Sequence, residues 1–253
     1  MQQVYDITVI GIGTGNPQHL TLEAIAALEV ADIVLVPDKG DEKAALLAAR
    51  QQIVARHGAP DRQRIVTYEV PTRDADASYR DAVDEWHAEI GRRIEAALAA
   101  NLASGQTAAF LVWGDPGLYD SLLRILDRVG ARNIRVIPGI SSLAALTAAF
   151  AIPLNRIGAP VAITPARRLI VPHPPGDTVV VLDGQQRFRE VDGTAYDIFW
   201  GAYLGLPYQI LVSGLLAEVS QRISALRDEA RARHGWIMDI YLLRRRDSAH
   251  AED

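Results

Sequence analysis

Cysteine is absent from this 253-residue chain. Its absence excludes disulfides, thiolate metal sites and cysteine nucleophiles together. The six histidines, His19, His57, His87, His173, His234 and His250, fall at no spacing expected of metal ligands, so no metal is expected. No apolar run is long enough to cross a bilayer, and no signal-peptide pattern opens the chain. Dense Lys/Arg blocks are missing from the body of the chain, and the formal net charge is −5. That argues against a nucleic-acid partner, which asks for a basic stripe. Arginine far outnumbers lysine, and no internal repeat or low-complexity tract appears. What is abundant is apolar residue, 49 % of the chain, enough for a sizeable core. The expectation is a soluble, cytoplasmic protein with neither nucleic acid nor membrane as partner.

The first half alternates strand-like and helix-like segments. Strands are predicted at Val4–Ile12, Ile33–Val36, Arg64–Val70 and Thr107–Val112. Helices are predicted at Thr21–Ala31 with Thr21 as N-cap, at Asp41–His57, at Ser78–Ala100 with Ser78 and Asp81 as a capping box, and at Ser121–Val129. This order implies a mainly parallel sheet covered on both faces. The second half changes character. A strand at Arg135–Ile137 and a small-residue helix at Ser142–Ala151 are followed by strands at Val161–Thr164, Thr178–Leu182, Asp197–Tyr203 and Gln209–Ser213. One long helix, Ala217–His234, precedes a last strand, Trp236–Leu243. Crowded strands with few helices read as a mixed α+β domain. The expected division is 1–117, 118–246 and a charged tail, 247–253.

Three strand-to-helix turns carry the chemistry. The first is Gly11-Ile12-Gly13-Thr14-Gly15-Asn16-Pro17. Alternate glycines let a loop turn sharply and press its backbone on a ligand. A dinucleotide fingerprint would need its third glycine one place later and a helix opening at once. The second is Trp113-Gly114-Asp115-Pro116-Gly117-Leu118-Tyr119-Asp120, a carboxylate on a tight turn where open α/β sheets bind ligands. Asp115 suits either a ligand's ammonium, sulfonium or hydroxyl group or a simple Asx turn. The third is Pro138-Gly139-Ile140-Ser141-Ser142, in which one serine caps the following helix and the other stays available to a ligand.

In this order, Gly-x-Gly-x-Gly-x-Pro, Gly-Asp-Pro-x-x-Tyr and Pro-Gly-x-Ser-Ser, the set resembles the tetrapyrrole methylase family. The likeness runs from Val9 to about Arg245. It implies a two-domain α/β fold, with a mainly parallel N-terminal sheet, a mixed α+β C-terminal domain and a cofactor cleft between them. It also implies a homodimer that binds S-adenosylmethionine and yields S-adenosylhomocysteine. Cofactor contacts are then expected at Thr14, Trp113, Gly114, Asp115, Leu118, Ser141 and Ser142, with Asp183 and Ala202 added from the second domain. The segments Ile10–Pro17, Leu111–Pro116 and His234–Leu243 look like a branch of the family that methylates C-1 of precorrin-5 and releases an extruded acetyl group as acetate. Sister methylases usually carry Gly where this chain has Trp113, and often Met where it has Asp183.

Methyl transfer from a sulfonium to an electron-rich macrocycle needs positioning more than acid–base groups. Acetate release is different: water must add to a carbonyl, so a base and an oxyanion donor help. The candidates are Tyr119, Asp120 and the Asp84/His87 pair, whose spacing of three puts both on one helix face or makes them a plain surface contact. The polycarboxylate precorrin substrate asks for local arginines. Arg73, Arg80, Arg124, Arg156, Arg167 and Arg168 lie near loops or element ends. Two other classes stay open on the residues alone. One is a nucleotide-binding oxidoreductase with Asp32 or Asp38 as its acidic residue; the other is a tetrapyrrole carrier without activity.

Overall fold

The strand β1 (Tyr5–Gly11) is an interior strand of a five-stranded parallel sheet. The computed structural model describes residues 4–38, 44–72, 79–130 and 132–246. The expected helix start at Asp41, the Ser78/Asp81 capping box, Arg73, the Arg80 side chain and the tail 247–253 lie outside what is described. The chain divides into two units, Met1–Ser141 and Ser142–Asp253.

In the first unit β1 is followed by α1 (Leu22–Val30), β2 (Ile33–Asp38), α2 (Ala44–His57), β3 (Arg64–Glu69), α3 (Tyr79–Asn101), β4 (Thr107–Val112), α4 (Leu122–Leu126) and β5 (Arg132–Ile137). The sheet order is β3-β2-β4-β1-β5. Thr21 caps α1 by accepting from Ala24 N at 3.0 Å. Alternation along the strands feeds two cores. Ile7, Val9, Leu35 and Phe110 pack with Ile94 and Leu98 of α3 and Ile125 and Leu126 of α4. Ile10, Val34, Val36 and Leu111 pack with Ala24 and Leu28 of α1 and Ile53 and Val54 of α2. The neighbours β1 and β4 therefore send their following helices to opposite faces. That makes their carboxyl ends the switch point of the sheet, where such folds hold ligands.

The second unit holds α5 (Ser142–Phe150), β6 (Val161–Pro165), β7 (Asp177–Val181), β8 (Tyr196–Ala202), β9 (Ile210–Leu215), α6 (Leu216–His234) and β10 (Asp239–Arg245). Its sheet runs β6-β7-β10-β8-β9, with β6 and β7 parallel and the other pairs antiparallel. Trp200, Tyr196 and Tyr241 are wholly buried with Ile223 and Ala230 of α6. Val179, Val181 and Leu242 face Ala145 and Leu146 of α5. The mixed second sheet is the one expected from the crowded strands.

Three expectations move. The division falls after Ser141 rather than after Gly117, because β5 hydrogen-bonds along β1 from Tyr5–Arg132 to Ile10–Ile137 and so belongs to the first sheet. The helix α4 ends at Leu126, where Arg128 and Val129 donate to carbonyls three residues back and tighten the turn. The last strand opens at Asp239 rather than Trp236, since the chain turns at Gly235 (φ 77°) and the Trp236 carbonyl accepts from the Tyr203 hydroxyl.

Candidate active site

All three glycine turns of the first unit meet at the carboxyl ends of β1, β4 and β5. Ile12 N donates to Val112 O at 2.9 Å, and Gly13 and Gly114 exchange backbone hydrogen bonds of 3.2 and 2.7 Å. Both glycines take left-handed φ, 73° and 72°, which favours residues without Cβ. A Cβ on Gly11 would lie 2.5 Å from Gly139 N, and one on Gly139 would lie 2.2 Å from Gly114 O. Three stretches far apart in sequence are thus in backbone contact.

Asp115 ties them together. One carboxylate oxygen accepts from Gly117 N at 2.8 Å, closing an Asx turn. The other accepts from Gly139 N at 2.9 Å. Both oxygens hold the chain's own amides, so a cationic ligand group would meet an already engaged carboxylate. Leu118, half-buried, donates its N–H to Asp115 O, and Tyr119 follows with φ 53°, a strained position for a side-chain-bearing residue. Asp120 precedes the N-cap of α4 and accepts from Leu122 N at 2.7 Å, closing a second Asx turn. Thr14 is buried, and its hydroxyl finds no hydrogen-bond partner among the described residues. Ser141 is half-buried at the end of this unit, while Ser142 opens α5 in the other.

Trp113 packs with the core formed by α1 and α2, its ring 5.9 Å from the guanidinium carbon of Arg50. Arg50, on α2, is itself buried and donates through Nε to Leu111 O (3.0 Å) and through Nη1 to Leu46 O (3.1 Å). Beside it a cavity of about 80 Å³ opens at the carboxyl ends of β2, β3 and β4. Arg50, Tyr68, Trp86, Asp120 and Ser121 supply its polar wall; Phe110, Val112 and Ile90 are among its apolar lining. Burial pushes the Tyr68 phenol far up, opposed by Arg50, so it stays protonated. Burial also lowers the Arg50 guanidinium from its usual value, with Tyr68 and Asp120 acting the other way.

The Asp84/His87 pair does not form as expected. Asp84, largely exposed, is ion-paired with Arg128 instead. His87 is buried between α3 and α4, its ring 5.5 Å from that of Trp86. Burial lowers its pKa, and Arg128 and Arg124 lower it further against Asp84 and Asp120. The folded state thus prefers neutral His87. Above about pH 6.5 both states are neutral; as pH falls below that, the unfolded histidine protonates first and stability is lost. His87→Gln should therefore show a smaller drop in melting temperature between about pH 7 and pH 5.5 than the parent protein. An unchanged drop would assign the acid loss elsewhere, His173 being the other histidine with a lowered pKa.

In the second unit Asp183 is 3 % exposed and fully employed. Its carboxylate accepts from Gln185 N (3.0 Å), Arg187 N (2.8 Å) and the Tyr241 hydroxyl (2.8 Å). Its carbonyl accepts from Arg227, which also pairs with Asp239 at 2.9 Å, and Asp239 accepts from Trp200 Nε1 at 3.0 Å. Burial and three donors hold the Asp183 carboxylate within the fold. The apolar side chain presented at the end of β7 is Leu182, 58 % exposed with φ 56°. Ala202 is wholly buried at the end of β8, so its side chain is withdrawn from any ligand there. Arg50 and Tyr68, on the cavity wall, were not among the expected site residues. Asp32, considered for a dinucleotide ribose, lies before the amino end of β2 and accepts from Thr107 N (2.8 Å), the wrong end of that strand for the role.

The sequence profile of the tetrapyrrole (corrin/porphyrin) methylases matches residues 6–220, and the chain belongs to that family. It is 49 % identical over 247 residues to the precorrin-6A synthase [deacetylating] of Sinorhizobium sp., covering 94 % of this chain and 95 % of that one. Among solved structures, a cobalamin-synthesis-related protein from Corynebacterium diphtheriae is 38 % identical, with a TM-score of 0.80 over 96 % of this chain and 100 % of that one. A uroporphyrin-III C-methyltransferase from Thermus thermophilus, solved with S-adenosylhomocysteine, shares the fold at 20 % identity and a TM-score of 0.56, over 94 % of this chain and 91 % of that one. Among the described residues no helix is long and apolar enough to cross a membrane, and no His/Asp/Glu group could hold a metal ion.

Proposed function

We propose that the protein is an S-adenosylmethionine-dependent C-methyltransferase of corrin biosynthesis. It methylates C-1 of precorrin-5, releases acetate and yields precorrin-6A. The observation that carries this reading is the near full-length likeness to the Sinorhizobium synthase. The chain's own residues fit the cofactor on two counts. Gly11 and Gly139 close the base of the cradle backbone to backbone while a Cβ on Gly114 would meet nothing within 4 Å, so the space beside that turn is open, and Thr14 keeps a buried hydroxyl without a partner among the described residues.

In this reading Thr14, Trp113, Gly114, Asp115, Leu118, Ser141 and Ser142 hold the cofactor. Asp115 acts through the loops it fixes. The cofactor supplies an activated methyl group. The protein's part is to align the acceptor carbon and exclude water. Of the candidates for acetate release, Asp120 is supported by its place on the cavity wall and Tyr119 by its turn. His87 is neutral and buried, and Asp84 is engaged by Arg128 at the surface. The same reading takes the protein as a cytoplasmic homodimer, and sedimentation velocity should give twice the chain mass of 27.6 kDa.

The test is incubation of the purified protein with precorrin-5 and S-adenosylmethionine. Precorrin-6A and acetate should form in equal amounts; methylation without acetate would point to a sister activity. Calorimetry should show saturable binding of S-adenosylhomocysteine. Thr14→Val should weaken that binding about 5- to 10-fold, one net hydrogen bond's worth, with stability to urea unchanged or slightly raised. Unaltered affinity would remove Thr14 from the site.

A further inference from the structure

The cavity beneath the β4–α4 turn contains chemistry that the cofactor cradle does not use. Arg50 is 7 % exposed, yet among the described residues it forms no salt bridge. Two of its five N–H donors reach carbonyls, of Leu111 and Leu46. A buried, unpaired guanidinium is costly to keep for packing alone. Tyr68 is buried next to it, and no protein group among the described residues hydrogen-bonds its hydroxyl. On the same wall stands Asp120, with one oxygen on Leu122 N. Two donors and one base thus line a space of about 80 Å³, room for a short acyl group and a water.

We propose that this cavity is the acyl compartment of the reaction, with Arg50 and Tyr68 as the oxyanion donors and Asp120 as the base that cleaves the acetyl group. The assignment rests on the deacetylating reading above. The acetyl carbonyl enters the cavity. A water oxygen bonds to the carbonyl carbon while Asp120 takes one of the water's protons. The carbonyl oxygen becomes an oxyanion held by Arg50 and Tyr68. As the carbonyl re-forms, the bond from acyl carbon to ring carbon breaks and its electron pair stays on the ring, delocalised into the macrocycle. Acetic acid leaves and gives up its proton to solvent, as Asp120 does in turn. The electron pair left on the ring carbon is what methyl transfer then uses, so no oxidant or reductant is needed. The donors stay protonated in the working range, since burial raises the phenol and an arginine remains charged.

Asp120→Asn and Tyr68→Phe test this with acetate release from precorrin-5, S-adenosylhomocysteine affinity and melting temperature as readouts. Asn keeps the acceptor that Leu122 N uses, and Phe removes one hydroxyl that the protein leaves unbonded. Acetate release should fall about 100-fold or more in Asp120→Asn and about 10- to 100-fold in Tyr68→Phe. The S-adenosylhomocysteine affinity should stay within about twofold, because the cradle is untouched. Release within about threefold of the parent in both variants overturns the assignment and leaves the proposed function standing. A parent protein that binds no S-adenosylhomocysteine, or forms product without acetate, overturns the proposed function and the assignment with it. If Asp120→Asn fails to fold, Tyr68→Phe decides alone.

Discussion

Gly139→Ala is expected to destabilise the first unit by about 3 kcal/mol and to abolish S-adenosylhomocysteine binding. The added methyl would lie 2.2 Å from Gly114 O and 2.7 Å from the Gly11 carbonyl carbon. Both obstacles are backbone, so no side chain can swing aside. Relief requires the β5–α5 turn to move off β1 and β4, and that breaks the Gly139 N–H bond to Asp115. Urea denaturation and calorimetry read the two effects. Gly184→Ala is the control, because its Cβ would meet nothing within 4 Å. Equal losses in both variants would show that the crowding at Gly139 is not the cause.

Arg227→Met should cost about 3–5 kcal/mol, the usual penalty for stranding one member of a buried ion pair. Arg227 and Asp239 are each 4 % exposed at the side chain, 2.9 Å apart. Burial already holds the Asp239 carboxyl above the usual carboxylate range, against the pull of Arg227 and Trp200. Methionine fills similar space but leaves that carboxylate without its cation. A raised folded-state pKa favours the protonated form, so the deficit should shrink as pH falls toward the carboxylate range. Adding Asp239→Asn keeps an acceptor for Trp200 Nε1 and removes the charge, and should recover a large part of the loss. If the double variant is no more stable than Arg227→Met, the loss is one of packing.

Local rules were legible in the sequence, and long-range pairing was not. Thr107–Val112 and the Thr21 cap follow from apolar runs and side-chain chemistry, and both stand where expected. Strand β5 misled because Arg132, Arg135 and Asn133 give it a half-polar, edge-strand pattern. Only its pairing with β1 shows to which unit it belongs, and no local signal encodes a partner so far away. Asp115 was ambiguous for a similar reason. Its Asx turn is local, but its bond to Gly139 joins separate motifs. Arg50 was not among the residues expected at the site. A signal was present: Leu46, Arg50, Ile53 and Val54 share one helical stripe, which turns that arginine inward. Tyr68 keeps step with Val66 and Val70 on one strand face, so its burial was readable although its neighbours were not. Asp183 gave no local warning, for its partners Tyr241 and Arg227 come from elements far along the chain.

The interior place of β1, between β4 and β5, sets a delay in synthesis. Asp6 faces Thr107 and Tyr5 faces Arg132, so the first strand made has no partner until more than a hundred residues have followed. At ordinary translation speeds that wait lasts about 5–20 s. Throughout it, Ile7, Val9 and Ile10 sit on a strand with both edges unpaired, the kind of segment that associates with other chains. In the second unit β8 and β9 are joined by a short loop, with Ala202 facing Ile210, and can pair as soon as both emerge. Losses to aggregation during production should therefore arise in the first unit and track chaperone supply rather than the stability of the finished fold.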